Sequence, residues 1–172
     1  MSILCWNVRG VNKGVRRCDV CDFIQKYSLF IVVLVDTKVK LKYSQRIISC
    51  IPPGWGSTHN SLVSDTGRIW IFWNQQVWSC TELSNTKQQI SLLALNQAGL
   101  QIVVSFVYRE NWESLGKSLR SDLCSMHDTH GHLPYMVLGD FNVARYTDEK
   151  VGRKPLSIQK LKDFNECISY CS

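Results

Sequence analysis

The chain has 172 residues, 45% of them apolar and 20% charged, which fits one globular domain over residues 1–172 and excludes disordered and fibrous classes. Its longest apolar run, Leu29 to Val35, is far short of the roughly 20 residues that cross a bilayer, and Asn7, Arg9 and Asn12 interrupt any secretory leader. Net charge is +6, all of it within residues 1–46, where nine Lys/Arg face three Asp/Glu; the rest holds eleven of each.

Strand and helix patterns alternate from the start. Ser2 to Val8 reads as a strand, and Val15 to Tyr27 as a helix with Val20, Phe23, Ile24 and Tyr27 on one side. Leu29 to Val35 has the unbroken apolar character of a strand covered on both faces. A short helix follows over Tyr43 to Cys50 and stops at Pro52-Pro53-Gly54, and Ser57-Thr58-His59-Asn60 reads as loop. Arg68–Trp73, Val77–Leu83, Gln89–Leu95 and Leu100–Tyr108 are then successive strands divided by polar turns, which predicts an antiparallel meander.

An amphipathic helix carries Trp112, Leu115, Leu119, Leu123 and Met126 at spacings of three and four. His127, His130 and His132 follow in a polar segment that reads as loop in preference to a metal site, because no fourth ligand is evident. Tyr135 to Leu138 is a short strand. Ser157 caps a last helix whose predicted inner face is Ile158, Leu161, Phe164 and Ile168.

Eight Cys supply one C-x-x-C, Cys18 and Cys21, inside a helical stretch and without a second pair at zinc-finger spacing. Cys5, Cys80 and Cys124 sit among apolar neighbours and read as small core residues, with reduced thiols expected throughout.

Three apolar strands end in polar side chains that a core would not select: Trp6-Asn7-Val8-Arg9-Gly10, Val35-Asp36-Thr37-Lys38, and Val137-Leu138-Gly139-Asp140-Phe141-Asn142. Ligand sites of α/β sheets gather beyond the carboxyl ends of strands. Carboxylate and amide oxygens suit a hard divalent cation, Mg²⁺ first, or Mn²⁺ in its place. In the third segment strand alternation sets Asp140 and Asn142 on one face and Phe141 in the core, while Gly139 permits close backbone approach. The basic residues Arg9, Lys13, Arg16, Arg17, Lys38 and Lys40 flank two of these tips; such a patch attracts nucleic acid, and an ordinary solvated surface is an equal reading on charge alone.

These segments, with Gly67-Arg68-Ile69-Trp70-Ile71-Phe72-Trp73 and Phe106-Val107-Tyr108, resemble the endonuclease/exonuclease/phosphatase superfamily, and most nearly the endonuclease domain of plant LINE-type retrotransposons. The resemblance spans residues 3 to 142. It implies a four-layer α/β sandwich of the deoxyribonuclease I-like type and a Mg²⁺-dependent phosphodiesterase that nicks DNA, in the family fused to a reverse transcriptase. It places Asn7 beside the metal, Asp36 where the family has a metal-binding Glu, Tyr108 on the scissile phosphate, Asp140 on the attacking water and Asn142 on the phosphate. A monomer in the nucleus or cytoplasm is expected.

The family's closing strands and Ser-Asp-His segment have no match before Ser172. The reading is therefore of a C-terminally incomplete sandwich with open edges and negligible nicking. Two alternatives stand beside it: a non-catalytic nucleic-acid-binding remnant, and a phosphatase of small phosphoesters or phosphoinositides on the same fold.

Overall fold

A computed structural model describes residues 2–11, 14–64, 66–110, 113–149 and 157–172, and for 14–18 and 113–115 the backbone alone. Lys13 and Trp112 lie outside the described residues, as do the side chains of Arg16, Arg17, Cys18 and Leu115.

Two four-stranded sheets are built from successive halves of the chain. The first contains β1 (Ile3–Asn7), β2 (Ile31–Val39), β3 (Trp55–His59) and β4 (Gly67–Asn74) in the order β1-β2-β4-β3. The second is β5 (Trp78–Asn85), β6 (Gln89–Asn96), β7 (Gln101–Tyr108) and β8 (Tyr135–Asp140) in sequence order. β1 pairs parallel with β2, and β7 parallel with β8, because helices α1 (Gly14–Tyr27) and α3 (Glu113–His130) carry the chain back to the starting edge. The remaining pairs are antiparallel.

The sheets face one another across a core of Val33, Val35, Ile69, Ile71, Ile90, Leu92, Val104 and Phe106. On its other face the first sheet buries Val32, Leu34, Trp70 and Phe72 against Val20 and Ile24 of α1 and Ile47 of α2 (Gln45–Ile48). Val107 and Val137 of the second sheet pack on Leu119 and Leu123 of α3 and Cys167 of α4 (Ile158–Tyr170). The result is the four-layer helix–sheet–sheet–helix sandwich that the sequence predicts. The unbroken apolar run of β2 is explained by its place: both its faces are covered.

Several expectations need correction. β4 does not belong to the meander, which comprises β5, β6 and β7; the turn after Asn74 passes the chain to the facing sheet. The stretch at Ser57–His59 is strand, paired with Phe72–Trp70 and kept close by Gly56, where a Cβ would strike the Trp73 ring. Phe23 and Tyr27 are 37% and 51% exposed, so α1 buries Val20 and Ile24 while Phe23 stacks between Trp6 and Tyr27, each at 5.4 Å. α3 continues through His127 to His130. Ser157 does cap α4, accepting from the Lys160 amide, but Ile158 is 78% exposed and Cys167 is the side chain that α4 buries.

Candidate functional site

Alternation along the strands carries polar groups into the gap between the sheets. On β1, Ile3 and Cys5 face the inter-sheet core while Leu4 and Trp6 face α1, so Asn7 continues the inner row. On β7 the inner row is Val104, Phe106 and then Tyr108; on β8 it is Leu138 and then Asp140. Tyr108 and Asp140 are register partners. Three inward rows thus end together, each in a polar residue.

Their side chains meet. Asn7 Nδ2 donates to Asp140 Oδ2 at 2.5 Å, joining the two sheets, and Arg9 N donates to Asn7 Oδ1 at 3.2 Å. Asp140 Oδ1 accepts from the Asn142 amide at 3.0 Å. Burial, and to a lesser extent the charge of Asp140, push the Cys5 thiol up to about 11. Asn142 does not extend the strand as alternation predicts. Its φ is +46°, and the turn returns its side chain to Arg109 O at 2.7 Å while Phe141 packs on Phe164.

Asp36 reaches the same place by a bulge in β2. The register against β4 shifts between Val35 and Val39, Asp36 and Lys38 take φ of +55° and +58°, and the Thr37 hydroxyl pins the bulge to Gly67 O at 2.6 Å. The buried Asp36 carboxylate receives Arg68 Nη1 at 2.7 Å on one oxygen and Lys38 Nζ at 3.1 Å on the other. The Arg68 guanidinium lies over the Tyr108 ring, 5.5 Å from its centroid. Burial and a hydrogen bond to Asp36 push the Tyr108 phenol up to about 12, so it remains a donor at neutral pH.

Left-handed backbone is concentrated at these tips. Five described non-glycine residues have positive φ; Arg9, Asp36, Lys38 and Asn142 are four of them. Such conformations cost roughly 1–3 kcal/mol each and persist where surrounding structure enforces them, commonly at functional sites. The neighbouring Gly139 has φ +149° and its Cα abuts the Val107 backbone, leaving no space for a Cβ.

No family model matches the chain, and no curated protein matches it by sequence. Among solved structures, an AP endonuclease from Leishmania major superposes with TM-score 0.76 at 12% identity, over 98% of this chain and 66% of that one. TDP2 from D. rerio complexed with single-strand DNA product gives 0.66 at 17% identity, over 84% and 61%. A mannosyl-6-phosphatase from Bacteroides thetaiotaomicron gives 0.65 at 13% identity, over 95% and 69%.

The chain has the deoxyribonuclease I-like fold. It spans about two thirds of the length of these structures. Within this deoxyribonuclease I-like sandwich, Asn7, Asp36, Tyr108, Asp140 and Asn142 form one connected cluster. Lys38 joins it through Asp36, whereas Arg9 and Lys40 are exposed beside it. Two participants were not singled out from sequence. Arg68, at the start of a strand, reads as an ordinary surface cation. Arg109 is 6% exposed and returns Nη1 to Asn142 O at 3.2 Å, in space that Gly116 leaves by lacking a side chain.

The donor chemistry fits a hard cation: Asn7 Oδ1, the Asp140 carboxylate and the Asp36 carboxylate all offer oxygen donors. Charge distinguishes them. Asp36 already carries two cations of the chain, and Lys38, with its side chain 49% exposed, is the one that solvent readily replaces. No helix of the described residues is long and apolar enough to cross a membrane.

Proposed function

We propose that the chain is a nucleic-acid phosphodiesterase module of the endonuclease/exonuclease/phosphatase family that acts on DNA, of the type with which LINE-type retrotransposons nick their targets. The carrying observation is the convergence of Asn7, Tyr108 and Asp140 at the ends of three inward rows, beside Asp36 and Arg68.

In this reading Asn7, Asp140 and Asp36 would hold Mg²⁺ or Mn²⁺, Asp36 being free to do so where Lys38 gives way to solvent. When bound, the cation supplies Lewis-acid stabilisation of charge on the phosphoryl oxygens. Asp140 accepts a hydrogen bond from the attacking water and aligns it. The Tyr108 hydroxyl, whose single proton goes to Asp36 in the free chain, would turn from Asp36 to donate to a phosphate oxygen, and Arg68 places positive charge next to it. One N–H of Asn142 is committed to Arg109 O, which leaves the second for phosphate. Arg9, Lys38 and Lys40, with Lys13, Arg16 and Arg17 of the same segment, engage flanking phosphates.

The acid–base histidine of the resemblance has no counterpart at this site among the described residues. His59 stacks on Trp70 at 4.2 Å, on the face of the first sheet turned away from the second. Binding and alignment of a phosphodiester are the tasks assigned to these residues.

Binding of a labelled DNA duplex, measured with and without Mg²⁺ across a salt series, tests the reading, with plasmid nicking and a sugar-phosphate substrate as parallel arms. Salt-sensitive binding strengthened by Mg²⁺ is expected, with any nicking and the Mg²⁺ effect both lost in Asp140→Ala. Binding indifferent to salt and Mg²⁺, or turnover confined to the sugar phosphate, overturns it.

A further inference from the structure

A second cluster of reactive side chains lies on the opposite face of the second sheet. Cys124 of α3, Cys167 of α4 and Cys171 just beyond α4 bring their sulfur atoms within 4.8 Å of one another. Cys167 and Cys171 are four residues apart, the helical spacing that sets two side chains on one face; Cys124 faces them from the neighbouring helix. Cys167 is 8% exposed, and the other two are half-buried, so the cluster has a closed floor and an open side. Val107, Val137, Leu123 and Phe141 surround it.

We propose that Cys124, Cys167 and Cys171 bind one thiophilic d¹⁰ cation, Zn²⁺ or Cd²⁺ in its place, which fastens α4 to α3. Three converging thiols, and not two, favour a metal over a disulfide, which would use two and strand the third. Zn–S bonds of about 2.3 Å in tetrahedral array set sulfurs about 3.8 Å apart, so side-chain rotation closes the cluster around an ion. A water on the open side completes four-coordination.

Each thiol releases its proton to solvent as its metal bond forms, leaving three thiolates and a dication at −1. The positive charge of Arg120 acts on Cys167, whose thiol lies 4.0 Å from the Arg120 carbonyl oxygen.

Titration of the reduced full chain with Cd²⁺ under anaerobic conditions tests this, read by ultraviolet thiolate-to-metal absorption and by thermal unfolding. One Cd²⁺ per chain, displaced by Zn²⁺ but not by Mg²⁺, with a raised unfolding midpoint, is expected. Cys171→Ser and Cys124→Ser, at half-buried positions that spare the floor of the cluster, should each weaken binding by about a hundredfold, whereas Cys80→Ser in the inter-sheet core should not. Absence of the absorption, its full retention in Cys171→Ser and Cys124→Ser, or a disulfide within the trio in place of metal uptake overturns the proposal.

Discussion

Asn7 Nδ2 bonds to Asp140 Oδ2 across 133 residues of sequence, and the two side chains belong to different sheets. The bond is charge-assisted, a class with roughly twice the strength of a neutral hydrogen bond. Breaking it from the Asn7 side leaves a carboxylate oxygen without its partner. Asn7→Ala is expected to lower unfolding stability by about 1–2 kcal/mol. A double-mutant cycle with Asp140→Ala should give a coupling of about 1 kcal/mol in urea denaturation. Additive single effects would show that the contact contributes nothing.

Arg68 and Asp36 should be unequal partners to their neighbours. Arg68→Met leaves the buried Asp36 carboxylate with the exposed Lys38 as its one cation partner beside the Tyr108 hydroxyl, for an expected loss of about 3 kcal/mol. Lys38→Met removes a half-exposed partner and should cost less than about 1 kcal/mol. It should also tighten Mn²⁺ binding, measured by electron paramagnetic resonance, since the ion no longer competes with an ammonium group for Asp36.

Gly139→Ala places a methyl group against the Val107 backbone and imposes a left-handed-side φ, so a loss of about 3 kcal/mol or more is expected. Gly99 also has positive φ, +83°, but open space around its Cα. Gly99→Ala should therefore cost only about 1 kcal/mol. Equal shifts in thermal midpoint for the two would refute the crowding argument.

Burial lowers the pKa of His59 from its ordinary 6.5, with Glu82 opposing. The folded protein thus holds the ring neutral while the unfolded chain protonates it. His59 contributes stability above pH 6.5 that is lost as pH falls from there through its lower folded value. Urea midpoints of the wild type should fall over this range, and those of His59→Phe should fall less. An unchanged slope would show that the imidazole is solvated.

DNA affinity should depend on Arg9 and Lys40 in proportion to the counterions they release. Arg9→Gln with Lys40→Gln is expected to reduce the slope of log K against log salt by about 1.8, or about 0.9 per contact. A slope identical to wild type would place DNA elsewhere on the surface.

Much of this was legible in the sequence because strand alternation is local. Apolar runs ending in Asn7, Asp36 and Asp140 announce where the core stops and polar chemistry begins, whereas Tyr108 enters only through the family resemblance. Partition between sheets is not local: nothing in Arg68–Trp73 tells whether its partner lies before or after it, so the pattern groups β4 with the meander although it pairs with β2 and β3. β3 escaped because an edge strand with polar Ser57, Thr58 and His59 has the composition of a loop. Alternation also misplaced the Asn142 contact, since φ of +46° ends the extended chain there. The Arg68–Asp36 pair and the three thiols depend on contacts between distant segments, which no spacing rule reads.

The first sheet and its strands come wholly from residues 3–74, the second from 78–140, with the Gln75-Gln76 turn between them. Asn7, Asp36 and Arg68 belong to one portion; Tyr108, Asp140 and Asn142 belong to the other. A cut at this turn yields two pieces that each carry half of a composite centre. Complementation of the separated pieces would restore the centre only where their apolar faces find each other, making it a reporter of reassembly.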